Sequence, residues 1–174
     1  MKISLAAGLA GCCLLPGCYE FDSPLDLKPR VKVDEKLPGP WRCFGTEDSA
    51  DEAPFILNVE KRNDTTTAWM VESVSGDGSK ETSGYEAFGS TVSPGHLLNL
   101  RETGEKASGK WTFVRYSFLL PHLMRVELIE DKPFEKVQKN QIALRSAIEK
   151  RLNDPTIFTE FCLCVRAKKK ATSP

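Results

Sequence analysis

Cysteine is the residue type in this chain whose spacing most clearly invites chemistry, because a thiol can form a disulfide, bind a metal ion or accept an acyl group. Three of the six cysteines lie within the stretch AGCCLLPGC, residues 10–18. The other three are Cys43, Cys162 and Cys164. The first group lies beside no folded domain that disulfides can crosslink, so it needs a separate explanation.

The first 17 residues have the order of charged and apolar residues that is typical of a secretory signal. Lys2 supplies one positive charge, residues 3–15 are apolar or small, and a small residue precedes Cys18. The run is shorter than the roughly 20 apolar residues that a helix needs to cross a hydrocarbon core of about 30 Å. We therefore predict a cleaved signal peptide over residues 1–17.

The residues around Cys18 resemble the lipobox of bacterial lipoproteins. The match is Leu15-Pro16-Gly17-Cys18, and a second match, Leu9-Ala10-Gly11-Cys12, lies closer to the first residue. The resemblance implies that Cys18, with Cys12 as the alternative, becomes the first mature residue and carries acyl chains such as palmitate. Several chains make a stable membrane anchor.

The lipobox resemblance also implies a location. A lipid-anchored protein of this type belongs to the bacterial cell envelope, and Tyr19 in place of a sorting aspartate favours the outer over the inner membrane. The alternative is a plain cleaved signal with incidental cysteines.

Basic and acidic residues balance in this chain, which argues against a nucleic-acid partner. The 24 lysines and arginines equal the 24 aspartates and glutamates, and removal of residues 1–17 takes away one lysine and leaves a net charge of −1. Residues 168–174 are predicted to be a basic disordered tail.

Prolines and alternating charges predict that residues 18–38 form the lipidated cysteine and a flexible tether. Twenty flexible residues reach roughly 25 Å, which would hold the folded part clear of a bilayer. The folded domain is predicted over residues 39–167, which is enough chain for a single core.

Short apolar runs with two-residue alternation recur through the predicted domain, and turn-forming residues separate them. This pattern is typical of an antiparallel β-meander. The seven runs are residues 41–45, 55–61, 66–74, 81–89, 96–102, 110–119 and 123–130.

The sixth and seventh runs allow a cross-strand register to be predicted. Their apolar faces are Val114, Tyr116, Phe118, Met124, Val126 and Leu128. These faces coincide if residue 118 pairs with 124, and Arg115 then lies opposite Glu127. A three-residue loop over residues 120–122 gives this register and places His122 in the left-handed conformation.

The apolar period changes after the seventh run. Residues at spacings of three, four and seven predict an amphipathic helix that ends near Asn153; they are Val137, Leu144, Ala147, Ile148 and Leu152. Residues 161–165 are apolar on both faces, which predicts a last strand whose outer face the helix covers.

Seven meandering strands, a helix and a returning strand resemble the lipocalin-like, or calycin-type, barrel. Gly39-Pro40-Trp41 matches the Gly-x-Trp motif of that family, which implies that Arg166 or Arg125 lies over Trp41. Lipocalins place their helix after the eighth strand, whereas this sequence places it after the seventh. The predicted fold class is mainly β, an up-and-down antiparallel meander of about eight strands that closes into a barrel.

A closed barrel puts its first and last strands side by side, and an oxidising compartment favours disulfides. Cys43 is therefore predicted to pair with Cys162 or Cys164, which leaves one free thiol. The alternative is a three-cysteine metal or redox site, but the chain offers no nearby histidine and no Cys-x-x-Cys pattern.

Strand alternation raises a difficulty for this disulfide. Cys43 shares a face with Trp41, and if Phe161, Leu163 and Val165 are the inward set of the last strand, its cysteines point outward. The bridge would then require that Cys43 faces outward or that one strand contains a bulge.

No acid-base constellation is evident among the remaining residues. His96 and His122 both lie at predicted turns, and no serine or cysteine sits in an elbow motif. We predict no catalytic residues, no cofactor and no metal, and hence a protein that is not an enzyme.

The interior of an eight-stranded barrel is either filled by side chains or holds one small ligand. The predicted ligand-binding residues are Trp69, Tyr116, Phe118, Met124, Val126 and Leu128. The predicted function is a membrane-anchored envelope protein that binds a small apolar ligand. The alternative is a non-catalytic module with a filled core that holds another envelope protein.

Overall fold

The computed structural model describes residues 19–46, 53–75, 78–93, 96–105 and 107–168 of the 174-residue chain. The predicted signal peptide over 1–17, the lipidation sites Cys18 and Cys12, and residues 169–174 of the predicted tail lie outside these ranges. Within them the backbone forms eight strands and one α-helix, which are β1 (Gly39–Gly45), β2 (Phe55–Lys61), β3 (Thr66–Val74), β4 (Lys80–Gly89), β5 (Leu97–Thr103), β6 (Trp111–Leu120), β7 (Leu123–Ile129), α1 (Gln141–Arg151) and β8 (Phe158–Arg166).

Each strand pairs antiparallel with the next strand in sequence, and β8 pairs with β1, so that the sheet closes into a barrel. The predicted fold class, an eight-stranded meander barrel with a helix before the last strand, is confirmed. Side chains of a strand alternate between its two faces. In β1, Trp41 and Cys43 are accordingly buried inside the barrel, whereas Arg42 and Phe44 are exposed.

The hairpin of β6 and β7 has the predicted register. Phe118 pairs with Met124, and Arg115 lies opposite Glu127. The Arg115 guanidinium donates two hydrogen bonds of 2.7 Å to the Glu127 carboxylate. Cross-strand pairing of opposite charges stabilises this side of the sheet.

The turn of this hairpin differs from its prediction. Leu120 pairs with Leu123, which leaves two residues in the turn and shifts the register between Phe118 and Leu120. Among the described residues only glycines have positive φ values, so the left-handed conformation predicted for His122 is also wrong. The residue that makes the predicted loop three residues long instead lies within β6, at the irregularity between Phe118 and Leu120.

Helix α1 packs on the outer face of the barrel. The Asn140 side chain accepts a hydrogen bond of 3.1 Å from the backbone N–H of Ala143 and so caps the first turn. Leu144 and Ile148, which are one helical turn apart, are fully buried. The cluster that they join, here called the outer core, also contains Phe21, Leu25, Val92, Leu97, Phe113, Ile129, Phe134 and Ile157.

The helix begins later than its apolar pattern predicts. Val137 belongs to a series of turns that follows a 3-10 helix at Lys132–Phe134, and the α-helical hydrogen bonds start only after Asn140. None of the described helices has the length and apolar character that a membrane crossing requires.

Residues 19–38 pack against the barrel, so the predicted flexible tether is wrong over this range. Phe21, Leu25 and Leu37 are at most 1% exposed. Prolines and charges suggested a chain with too little apolar surface to fold, but these three side chains find apolar partners that only the closed barrel provides. Residues 19–38 are here called the strap, and they are part of the folded domain.

The strap runs along the barrel from one end to the other. Phe21 exchanges backbone hydrogen bonds with Trp111 at the start of β6, and its ring stacks on Phe113 with 4.3 Å between centroids. Further along, Val31 forms a β-bridge with Gly89 at the end of β4. A side chain in place of Gly89 would clash, because a Cβ there would lie 2.8 Å from the Val31 side chain.

A buried carboxylate fixes the middle of the strap. Asp26 accepts hydrogen bonds from the Ser90 and Thr91 hydroxyls, each of 2.6 Å, and pairs with Arg145 of α1 at 2.5 Å. Burial alone raises the pKa of Asp26, but the hydrogen bonds from Ser90, Thr91 and Arg145 outweigh it and lower the pKa below its usual value. The charged carboxylate therefore joins strap, barrel and helix.

Substitution of Phe21 tests whether the strap belongs to the fold. We expect Phe21→Ala to destabilise the protein by about 3–5 kcal/mol, the usual cost of truncating a fully buried phenylalanine. Urea unfolding followed by circular dichroism measures this change. Leu27→Ala is the matched control, because Leu27 lies in the same segment but is 76% exposed. If both variants were as stable as the parent, the result would instead support the flexible tether predicted from the sequence.

Candidate functional site

An apolar cavity of about 50 Å³ lies inside the barrel. Its lining residues come from six strands and are Phe55, Leu57, Trp69, Val71, Tyr85, Leu100, Val126, Phe161 and Cys162. Val71 and Phe161 are partly exposed, whereas the others are buried. These two residues therefore mark the side on which the cavity approaches the surface.

The direction of the strands shows which end of the barrel this is. In a meander the odd strands finish, and the even strands start, at the same rim, so Gly45, Phe55, Thr103 and Trp111 share one rim. Phe55 lines the cavity, and Cys162 of the lining pairs with Gly45. This end of the barrel is here called the cavity end.

The opposite end, here called the Trp41 end, is closed by side chains. The Trp41 indole N–H donates to the Leu37 carbonyl at 2.9 Å, and the Arg166 guanidinium lies 3.8 Å from the indole centroid. Of the two arginines expected over Trp41, Arg166 takes this place. Gly39 is required here, because its φ is 129° and a Cβ would lie 2.5 Å from Arg166 Nη1.

Trp69 lines the cavity, and its indole N–H has a hydrogen-bond partner inside the barrel. The Trp69 indole N–H donates to the Thr67 hydroxyl at 2.9 Å, and that hydroxyl lies near the Ala87 carbonyl at 3.4 Å. The indole therefore presents its carbon atoms to the cavity. An apolar occupant meets no unpaired donor from this side chain.

A register shift turns Phe161 towards the cavity. Val126 pairs with Cys162 but Glu127 pairs with Glu160, so Phe161 is an extra residue between the two pairs. Such a bulge changes the direction of a side chain, and the centroid of the Phe161 ring lies 6.0 Å from that of Phe55, which also lines the cavity. Regular alternation would have placed Phe161 on the face opposite Cys162.

Two of the six predicted ligand-binding residues, Trp69 and Val126, line the cavity. The other four belong to the packed interior and are absent from its lining: Tyr116, Phe118, Met124 and Leu128. Seven lining residues were missed, which are Phe55, Leu57, Val71, Tyr85, Leu100, Phe161 and Cys162. Alternation in the second and third runs gave a signal for Phe55, Leu57 and Val71, but it does not show which level of a barrel is filled.

Cys43 and Cys164 form the disulfide that joins the first and last strands. Of the two predicted pairings, this confirms the one with Cys164, because Cys43 and Cys164 are direct cross-strand partners with Cα atoms 4.0 Å apart. Cys162 and Cys164 are the buried residues of β8, so the conditional assignment of Leu163 and Val165 to the inward face does not hold. The alternative condition, a bulge in one strand, is met in β8, where the register shifts between the pairs Val126–Cys162 and Glu127–Glu160. Cys43 accordingly faces inward.

Cys162 is the free cysteine among the described residues, and its thiol is buried. Its Sγ lies 3.5 Å from Cys164 Sγ, and the Sγ atoms of all three cysteines lie within 4.8 Å of one another. Burial raises the pKa of the Cys162 thiol, and the charge of Glu160 adds to this rise. A protonated, enclosed thiol is a poor nucleophile, so in the oxidised protein Cys162 serves as an apolar wall residue.

A larger groove of about 510 Å³ lies on the outer surface of β6 and β7 near the end of α1. Its lining residues are Ser93, His96, Leu97, Arg115, Tyr116, Ser117, Arg125, Glu127, Leu152 and Asn153. Its arginines have acidic partners, since Arg115 pairs with Glu127 and Arg125 Nε lies 3.2 Å from a Glu160 carboxylate oxygen. The groove therefore mixes apolar side chains with charged side chains whose charges are balanced.

The fold and the cavity define a class of protein, a closed eight-stranded antiparallel barrel with a small apolar cavity at one end. Comparison with known proteins adds no family to this description, because no protein-family model, no curated protein and no solved structure matches the chain.

Peptide mapping without reduction tests the cysteine arrangement. We expect one crosslinked pair, Cys43 with Cys164, and alkylation of Cys162 only after denaturation. Because the bond closes a loop over 121 residues, its removal in a Cys43→Ala, Cys164→Ala variant should cost on the order of 4–5 kcal/mol in the chain-entropy model. Cys162→Ala is the control that keeps the crosslink. Recovery of Cys43 as a free thiol would contradict the pairing.

Proposed function

We propose that this protein is a lipid-anchored protein of the bacterial cell envelope whose barrel binds the end of a small apolar ligand. The observation that carries the proposal is the apolar cavity at the cavity end of the barrel, with Val71 and Phe161 partly exposed beside it. Ligand sites are typically concave and lined by apolar and aromatic side chains. This cavity has that composition.

The size of the cavity restricts the ligand. Its volume is about 50 Å³, whereas an engineered apolar cavity that binds benzene measures about 150 Å³ and drug-sized ligands need about 300–1,000 Å³. The occupant is therefore a group of a few carbon atoms, such as the end of a hydrocarbon chain. The remainder of the ligand lies outside the barrel.

The membrane anchor rests on the sequence. Leu15-Pro16-Gly17-Cys18 supports lipidation at Cys18, and Leu9-Ala10-Gly11-Cys12 supports Cys12 as the alternative. The covalent lipid is the membrane partner in this proposal, and the outer membrane is the favoured location because Tyr19 replaces a sorting aspartate.

The groove on β6 and β7 favours a second candidate function, a non-catalytic module that holds another envelope protein. Its volume of about 510 Å³ admits a side chain or a short peptide segment. The ion pair of Arg115 with Glu127 in its lining suits a polar partner group. A partner bound there would contact β6, β7 and the end of α1, and the interior of the barrel would play no part.

Binding of a fluorescent polyene fatty acid, cis-parinaric acid, tests the ligand proposal. We expect saturable binding to the purified full-length protein, and at least tenfold weaker binding to Val71→Phe, because the larger side chain fills the cavity. Val74→Phe is the matched control, since Val74 lies in the same strand but is 47% exposed. Absence of saturable binding, or equal loss in both variants, would contradict an interior site and favour the groove.

A further inference from the structure

The strap brings the proposed anchor to the cavity end of the barrel. Tyr19, the first described residue, is partly buried and packs against the apolar interior of the barrel. Glu20 accepts a hydrogen bond of 3.4 Å from the Ser108 hydroxyl, and Asp22 forms an ion pair with Lys110. Ser108 and Lys110 belong to the connection between β5 and β6, which lies at the cavity end.

The strap residues that follow Glu20 are also held against the barrel. Phe21 is held by its backbone hydrogen bonds to Trp111, of 2.7 and 2.9 Å, and by its ring contact with Phe113. The Leu25 N–H donates to the Asn99 side chain at 2.7 Å. The strap is therefore fixed to the outer face of the barrel from its first turn.

Because the strap is packed on the barrel, no flexible tether separates the proposed lipid on Cys18 from the barrel. Cys18 directly precedes Tyr19, and consecutive Cα atoms are about 3.8 Å apart. A flexible tether of twenty residues would instead reach roughly 25 Å. A lipid on Cys18 thus holds the rim of the cavity end within a few ångströms of the lipid headgroups.

We infer that the Cys18 anchor, on which this inference depends through the proposed function, sets the cavity end of the barrel on the bilayer, so that the cavity receives the end of an acyl chain from a membrane lipid. The small volume agrees with this occupant, since only the chain end enters and the rest stays in the bilayer. A route through water would expose the chain at a cost of about 0.8 kcal/mol for each CH₂ group.

The charge of the rim indicates what holds this orientation. Among the described residues, charged side chains of both signs lie at the cavity end, including Glu20, Lys80, Glu102, Glu105 and Lys110. Such a mixture gives no general attraction to anionic lipid, and the sequence between β1 and β2, EDSADE at residues 47–52, adds only acids. The covalent link therefore sets the orientation, which should be insensitive to salt on neutral vesicles.

Fluorescent labels at the two ends of the barrel test the orientation in the full-length lipidated protein. Single cysteines are introduced as Glu105→Cys at the cavity end and His122→Cys at the Trp41 end, both in exposed turns, in a Cys162→Ala background. Strands of seven residues or more separate these sites by about 20 Å. In phosphatidylcholine vesicles, spin-labelled headgroups should quench the label at 105 several-fold more than the label at 122, at both low and high salt. Equal or stronger quenching at 122 would overturn the orientation.

A lipid with a photoreactive diazirine at the end of its acyl chain tests the occupant. Irradiation of vesicles that contain the protein should crosslink this lipid to peptides that carry Val71 or Phe161. The adduct should be lost in Val71→Phe and kept in Val74→Phe, the control outside the barrel. Adducts confined to the outer surface, or equal in both variants, would overturn the acyl-chain occupant.

The failure of the anchor and the failure of the orientation give different results. If Cys18→Ala fractionates with membranes as the parent does, and mass spectrometry finds no lipid on Cys18, the anchor fails and this inference is overturned with it. If Cys18 carries lipid but the label at 122 is the quenched one, only the orientation is overturned. The binding of cis-parinaric acid by the purified protein tests the cavity separately from both.

Discussion

The pairing of β1 with β8 is the interaction on which the rest of this structure depends. It joins Trp41 to Arg166 and Cys43 to Cys164, residues that lie more than a hundred positions apart in the sequence. The entropy lost in closing so long a loop must be recovered by the contacts that closure creates. These are the backbone ladder, the disulfide and the Arg166 guanidinium stacked on the Trp41 ring.

Closure also creates both apolar cores. The interior cluster needs a closed sheet to exclude water, and the outer core needs β5 and β6 in place before α1 and the strap can cover them. Phe21 and Leu144, from opposite ends of the chain, are buried in that same outer core. The strap and the helix are thus stabilised by one surface of the barrel, although neither has enough apolar area to fold alone.

Two-residue alternation was sufficient to predict the strands, because it reports directly which face of a strand is buried. It gave the pairing of Arg115 with Glu127, whereas the position of Cys43 beside the last strand followed from closure of the barrel. Alternation did not fix the inward face of β8, because residues 161–165 are apolar on both faces and a bulge at Phe161 leaves no mark in so short a run. It also failed for the strap, because the burial of Phe21 and Leu37 depends on tertiary partners that local composition does not reveal.

The cavity was predicted only in part for a similar reason. Alternation separates inside from outside, but it does not separate the filled half of the barrel near Trp41 and Tyr116 from the half that contains the cavity. Hydrogen exchange of the oxidised full-length protein tests whether strap and closed barrel form one folded unit. We expect that the amides of Phe21, Leu25 and Val33, which donate to Trp111, Asn99 and Asp64, exchange as slowly as those of β1 and β8. Rapid exchange throughout residues 19–38, with the strands still protected, would contradict it.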